Sequence, residues 1–343
     1  MTRNPRSGGV RRGLVLAIAA AVVAVAGCST TASTAPKSSG GTAVDPNETY
    51  YWISQGSTIP IFVNRDIPAA KAAAAELGVK LEVAGPTDIN LSAFQSTIDQ
   101  VCGQKPAGVM IVGWDAALAE PINKCVAAGV PTVTVDADIP ASNRMAFVGT
   151  SWYGLGTALG KAMVKALPDG GDVATLSILS APNMIEAVQG FKAALEGSKI
   201  NVVADEDDTG EAAPAATKMA ALLAAYPSLD GVAGFDSGSG PGILQALREA
   251  GKAAGAIKVV SNEGATPDFF KNLQTGEVQA ITVQKRELFT YYGLHILFDF
   301  NHSPAKVYGM DARTAFPIPA NIDTGLAVFT KDSADAIVGA TSK

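Results

Sequence analysis

Histidine and cysteine are scarce in this chain: His295 and His302 are the only histidines, and Cys28, Cys102 and Cys125 the only cysteines, in 343 residues. So few soft ligands weaken any zinc proposal. No nucleophile–histidine arrangement is visible, which counts against covalent hydrolytic chemistry. Charge is sparse as well, at 17% of residues with a net of −6, and no basic cluster follows the N-terminus. Without a phosphate-neutralising stripe, nucleic-acid binding has no support. Apolar residues, in contrast, make up 48%. That is enough for sizeable cores, and the length suits two lobes of roughly 130 to 150 residues each.

Residues 1–28 read as a targeting segment and stand outside the fold. Arg3, Arg6, Arg11 and Arg12 form its positive end, and Leu14 to Ala26 is an apolar stretch too short to be a comfortable permanent anchor. It closes on Val25-Ala26-Gly27-Cys28. That ending resembles the lipobox of bacterial lipoproteins, which implies cleavage before Cys28 and lipidation of its thiol. Residues 29–46, rich in Ser, Thr, Gly and Pro, read as a flexible tether. The folded part is therefore expected outside the cytoplasm, held at the outer face of the membrane. In that compartment Cys102 and Cys125 suit a disulfide better than a metal site, with two buried free thiols as the alternative.

From Tyr50 onward, strand and helix signals alternate. Strands are expected at Tyr50–Ser54, Val79–Val83, Gly108–Val112 and within the stretch Val130–Pro140. Between them come an alanine-rich helix stopped by Gly78, a helix capped by Asn90 that carries Phe94, Ile98, Val101 and Cys102 on one face, and a helix holding Ile122, Cys125 and Val126. This is the pattern of a doubly wound parallel sheet. With strand order 2-1-3-4, the two cysteine-bearing helices become neighbours on one face, so a Cys102–Cys125 bridge is expected. A second α/β series starts near Thr150, with Gly154, Gly156 and Gly160 allowing its first helix to pack closely. It runs to a short strand at Ala280–Val283 and a long helix at Leu288–Phe300, which can return to the first lobe. Few helical signals follow Ser303, and Gly325–Phe329 reads as a late strand.

The β-branched stretch Val130–Pro140 carries Asp136-Ala137-Asp138 at its end. Ligands of open α/β sheets bind beyond the carboxyl ends of the strands, so both aspartates are candidates, although aspartate also shapes turns. Asp115 can touch a ligand or cap its helix. Trp114 and Trp152 can stack on a ligand or cover the junction of the lobes, and Phe62 can do the same or sit in the core. Asp236 precedes the glycine-rich stretch Ser237–Gly242. That stretch lacks the Gly-Lys-Ser/Thr ending of a phosphate loop, so a tight strand-to-helix turn is the better reading. Glu263 can pair with a lysine or with a hydroxyl, and the two histidines read as surface or capping residues.

Residues from about 50 to 330 resemble the sugar-binding proteins of bacterial ABC importers, in the ribose- and galactose-binding group. The resemblance is carried by Ile59-Pro60-Ile61-Phe62, Lys105–Val109, Ala128–Pro131 with Asp136 five residues later, and Gln189-Gly190-Phe191. Tyr226–Val232, Leu247–Gly251, and Gly276–Ala280 followed by Gln284 complete the set. It implies the type I periplasmic binding protein fold: two Rossmann-like α/β lobes with parallel sheets, joined by three crossovers and closing on a ligand by hinge motion. The implied lobes are residues 47–149 plus about 285–322, and 150–284 plus about 323–343. The implied ligand contacts are Phe62, Asp136, Asn183, Asp236, Asn262, Glu263 and Gln284, with Asp115 and Asp138 as further candidates. Ala137 stands where ribose-type members carry arginine, and no arginine precedes Gly190-Phe191. Asp-x-Asp and Gly85–Asp88 look more like the rhamnose- and autoinducer-binding branch.

The expected function is capture of a small neutral sugar, deoxysugar or polyol by a monomer, without cofactor or catalysis, for delivery to ABC permease subunits. Carboxylates and amides suit hydroxyl-dense ligands, and an aromatic ring suits their C–H face. The alternatives are a sensor presenting the bound ligand to a membrane receptor and a metal-dependent enzyme built on Asp136 and Asp138.

Overall fold

A computed structural model describes residues 44–264, 267–302, 306–307, 310–311 and 318–341. Cys28 and the tether up to residue 43 lie outside the described residues. The first series is β1 (Thr49–Ile53), α1 (Ile67–Leu77), β2 (Lys80–Ala84), α2 (Leu91–Gly103), β3 (Gly108–Val112), α3 (Ala119–Ala127), β4 (Thr132–Asp136) and β5 (Ala146–Gly149). The second is α4 (Trp152–Ala166), β6 (Gly171–Ser177), α5 (Pro182–Leu195), β7 (Ile200–Asp207), α6 (Ala212–Ala225), β8 (Gly231–Gly234), α7 (Ser239–Glu249), β9 (Lys258–Asn262), α8 (Lys271–Thr275) and β10 (Ala280–Gln284). Then follow α9 (Glu287–His302), the paired β11 (Lys306–Val307) and β12 (Met310–Asp311), β13 (Asn321–Asp323), β14 (Leu326–Thr330) and α10 (Ala334–Thr341).

The strands form two six-stranded sheets. The first runs β2-β1-β3-β4-β5-β13, all parallel. The second runs β7-β6-β8-β9-β10-β14, parallel except for β14 against β10. The type I periplasmic binding protein fold is thus present, with the expected order 2-1-3-4 at its start. The chain passes from one sheet to the other after β5, after β10 and between β13 and β14.

Each sheet is covered on both faces, which explains why β3 and β4 are buried along their whole length and rich in Val and Ile. On the first sheet, α1 and α9 enclose Tyr50, Trp52, Met110, Val133, Phe289 and Leu297, so α9 does return to this lobe. Phe94, Ile98 and Ile122 of α2 and α3 cover the opposite face. Cys102 and Cys125 stand near the ends of α2 and α3 and are joined by a disulfide with a sulfur separation of 2.00 Å. On the second sheet, α4 and α5 cover one face and α6, α7, α8 and α10 the other. Helices α4 and α5 touch backbone to backbone: a Cβ on Gly156 would lie 1.8 Å from the Ala187 carbonyl, and one on Gly190 2.1 Å from that of Tyr153. Gly154 would meet only the Ser151 side chain, so the close approach belongs to Gly156 and Gly160.

Five elements escape the sequence pattern, among them the two-residue strands β11 and β12. Strand β5 has four residues and β13 three, both too short for a period to register. Helix α10 follows a Thr330–Ser333 capping box past the region read as non-helical. Phe62 lies in a π-helical turn, Phe62–Asp66, that opens α1. Of the histidines read as surface or capping residues, both are half-buried: His302 bonds Glu48 at 2.7 Å, and His295 packs 4.5 Å from Tyr291.

Candidate functional site: buried polar residues at the strand ends

The carboxyl ends of both sheets carry the buried polar residues. Asp136, the last residue of β4, has a left-handed backbone at φ +66°. For a residue with a Cβ that conformation costs about 1 kcal/mol or more, and such strain clusters at functional sites. Its carbonyl accepts from Trp152 Nε1 at 2.8 Å, so Trp152 clamps this turn. Its carboxylate oxygens accept from Arg286 Nη1 at 2.9 Å and Nη2 at 2.7 Å.

Arg286, two residues past β10, was not foreseen. Its Nε and Nη2 also donate to Asp66 at 3.0 and 2.7 Å, and Nη1 reaches Gln284 Oε1 at 3.4 Å. All five N–H donors of the guanidinium are thereby engaged. The rings of Phe62 and Phe289 flank it at 5.5 and 5.4 Å. Burial works against the charge of Arg286, yet Asp136 and Asp66 outweigh it and hold its pKa well above the usual value. Asp66 is fully buried, and burial outweighs the guanidinium there, pushing its carboxyl up to about 7.

The turn before α1 supplies three groups to this centre. Phe62, 1% exposed, sits edge-on to Trp52 and Trp114 at centroid distances of 5.1 and 6.0 Å. Asp66 grips Arg286. Arg65 reaches the other lobe, donating to the Glu263 carboxylate and to the Gln284 carbonyl at 3.0 Å. Its Nε also meets Glu287 Oε1 at 2.6 Å. Glu263 therefore pairs with an arginine from the opposite lobe rather than with a lysine. Burial raises its pKa despite that partner.

Two candidates have other work. Asp138 binds Arg144 through both oxygens and accepts from Thr134 Oγ1 at 2.7 Å, which orders the loop after β4. Asp115 accepts the Ala117 N–H at 2.8 Å and caps the turn before α3. Trp114 donates from Nε1 to Ser54 Oγ at 2.9 Å.

On the second lobe, Asp236 Oδ1 accepts the N–H groups of Gly238 and Ser239 at 2.8 and 3.0 Å, at the start of α7. Ser239 Oγ lies 2.8 Å from Asp236 Oδ2 and 2.5 Å from Asp208 Oδ2. Asp208, immediately after β7, is fully buried and was also not foreseen. Burial, and then the neighbouring Asp236 charge, push its carboxyl up to about 8. Asn262 Oδ1 accepts from Thr282 Oγ1 at 3.0 Å. Four buried polar atoms at these strand ends and at the start of α5 have no hydrogen-bond partner among the described residues: Gln55 Oε1, Ser177 Oγ, Asn183 Oδ1 and Gln284 Nε2. The described residues also contain no group of three or more His, Cys, Asp or Glu side chains arranged to hold a metal. No helix among them is long and apolar enough to cross a membrane.

Residues 50–300 match the periplasmic binding protein domain family. The xylose/arabinose-binding protein XylF of Sulfolobus acidocaldarius is 24% identical over 237 residues, covering 63% of this chain and 54% of that protein. The chain spans about half the length of the curated relatives it matches. Among solved structures, the sugar-binding protein of a Bacillus halodurans sugar ABC transporter superposes with a TM-score of 0.73 at 29% identity, over 84% of this chain and all of that one. A Burkholderia graminis ABC transporter solute-binding protein in complex with D-arabinose gives a TM-score of 0.76 at 26% identity, over 85% of this chain and 98% of the other. With a family match running from the first strand to α9, and two doubly wound sheets presenting polar strand ends, this chain belongs to the periplasmic binding protein family.

Proposed function

We propose that the protein captures a small neutral sugar, deoxysugar or polyol between its lobes and hands it to an ABC permease. Lipidation of Cys28 would hold it at the outer face of the membrane during that exchange. The observation carrying this reading is the set of unpartnered buried atoms at the strand ends and at the start of α5: Gln55 Oε1, Ser177 Oγ, Asn183 Oδ1 and Gln284 Nε2. Each costs on the order of 1 to 3 kcal/mol while unsatisfied. They include neutral amide and hydroxyl groups, both donors and acceptors, and come from both lobes. A hydroxyl-dense, uncharged ligand matches such a set, since every hydroxyl can both give and take a hydrogen bond.

The charges nearby fit the same class. The Asp136 carboxylate is offset by Arg286 and its orientation fixed, yet each oxygen keeps acceptor capacity for a ligand hydroxyl. Asp136, Asn183, Asp236, Asn262 and Gln284 are the proposed polar contacts, and Phe62 the apolar wall. A thermal-shift screen of pentoses, hexoses, deoxysugars and polyols tests the proposal. At least one neutral sugar or polyol is expected to stabilise the protein. A response only to amino acids or anions would overturn the ligand class.

A further inference from the structure

Asp208 and Asp236 form a buried carboxylate pair on one hydroxyl. Ser239 Oγ is within hydrogen-bond distance of both acids, at 2.5 and 2.8 Å, but a hydroxyl has a single hydrogen. If both acids were ionised, one short contact would have no proton in it, and two charges would share a buried site. One of the acids must therefore carry a proton, and the geometry decides which. Asp236 Oδ1 already accepts two backbone N–H groups at the amino end of α7, where negative charge is favoured. Asp208 accepts a single backbone N–H, that of Gly210 at 3.1 Å, and is fully buried.

The other charges around Asp208 are engaged or outward. Asp205 pairs with Lys192 of α5 and accepts from Thr175 of β6. Glu206 pairs with Lys218 of α6, Asp207 accepts the Thr209 N–H, and Glu211 is exposed. Next to the pair, Ser177 Oγ is buried and unpartnered, while the Ser177 carbonyl accepts the Asp208 N–H at 3.2 Å.

We propose that Asp208 is a positioning residue of the second-lobe site: it keeps the proton of the pair and donates it to Ser239 Oγ, whose own hydrogen goes to Asp236, fixing Asp236 as an oriented anion for the hydroxyls of a neutral solute. This rests on the reading of the polar strand ends as a solute site. It has a consequence that packing alone would not give. When Asp208 loses its proton, Ser239 can satisfy only one acid, the like charges push apart, and Asp236 loses its fixed position. The burial and charge around Asp208 place that loss near pH 8.

The test uses the full chain with Asp208→Asn and Asp208→Ala, since an amide keeps a donor toward Ser239 and a methyl does not. Carbon-13 NMR of the aspartate carboxyl groups, without any ligand, is expected to show one group titrating near pH 8 that disappears in Asp208→Asn. Titration of Asp208 in the ordinary range near 4 would overturn the proposal. With the best neutral sugar of the thermal-shift screen, wild-type affinity should fall several-fold from pH 6.5 to about 9.5, a window spanning that loss. Asp208→Ala should bind about ten-fold more weakly at pH 6.5, and Asp208→Asn should recover most of that loss with a flat pH profile. Equal pH profiles in wild type and Asp208→Asn would overturn it. Failure of every sugar to bind would refute the ligand class, while the carboxyl titration would still decide where the proton sits.

Discussion

Replacing Arg286 by methionine separates the electrostatic role of this side chain from its bulk. The substitution leaves an unbranched apolar chain but removes five N–H donors from Asp66, Asp136 and Gln284. Asp66 is 0% and Asp136 6% exposed, so neither carboxylate can turn to water. Breaking a buried ion pair from one side costs about 3–5 kcal/mol. The loss has a ceiling, because an uncompensated acid can take up a proton at a cost of about 1.4 kcal/mol for each pH unit above its ordinary pKa near 4. At pH 8 that ceiling is about 5–6 kcal/mol per acid, and at pH 5 about 1.5. The sign follows from Asp66, whose folded pKa is raised to about 7 by burial despite the guanidinium. In wild type its contribution to stability is fully present below about pH 4 and declines until about pH 7. Without Arg286 the decline continues above pH 7, so the two proteins should diverge as pH rises. Urea unfolding should give a loss of roughly 3–5 kcal/mol at pH 8 and about 2 or less at pH 5. Adding Asp66→Asn to Arg286→Met should recover a large part of the loss at pH 8. A loss below about 1 kcal/mol, or one independent of pH, would refute the electrostatic role given to the fork.

The Cys102–Cys125 bridge closes a 23-residue separation, so its reduction or replacement by two serines should cost about 3 kcal/mol and lower the melting temperature; two free thiols by mass spectrometry of exported protein would remove it. Arg65→Gln should weaken ligand binding about ten-fold and increase the radius of gyration in small-angle scattering, because Arg65 ties Glu263 of the second lobe to the first. Unchanged scattering and affinity would show that this ion pair does not hold the lobes. Asp138→Asn should lower stability by about 1–3 kcal/mol through the loss of its charged partnership with Arg144, while changing ligand affinity less than three-fold; a large affinity loss with stability intact would return Asp138 to the ligand shell.

The doubly wound sheets were legible because buried parallel strands and amphipathic helices leave long periodic signals. Asn90 as a cap and Gly78 as a stop were readable for the same reason, being local chemistry: Asn90 Oδ1 accepts the Ala93 N–H, and Gly78 is left-handed at φ +71°. Strands β5 and β13 were not, because their three or four residues are defined only by neighbours distant in sequence. The same limit applies at the site. Asp136 could be found as an acid ending a strand, but its partner Arg286 lies 150 residues away, and nothing near Arg286 marks it as buried. Arg65 and Asp66 adjoin Phe62, and a π-helical turn points them to different partners in a way that α-helical periodicity does not anticipate. Asp208 was hidden within the run Asp205-Glu206-Asp207-Asp208, where three acids face outward or pair with surface lysines or backbone and only the fourth turns inward.

Isothermal titration of the best neutral sugar against wild type and Asp136→Ala addresses the central claim most directly. The expected result is one site per chain in wild type and at least a hundred-fold weaker binding in Asp136→Ala, the loss of about two charge-assisted hydrogen bonds, with cooperative unfolding retained. Unchanged affinity in the variant would contradict the role given to the strand end at Asp136, and heat from amino acids or anions alone would contradict the sugar-like ligand.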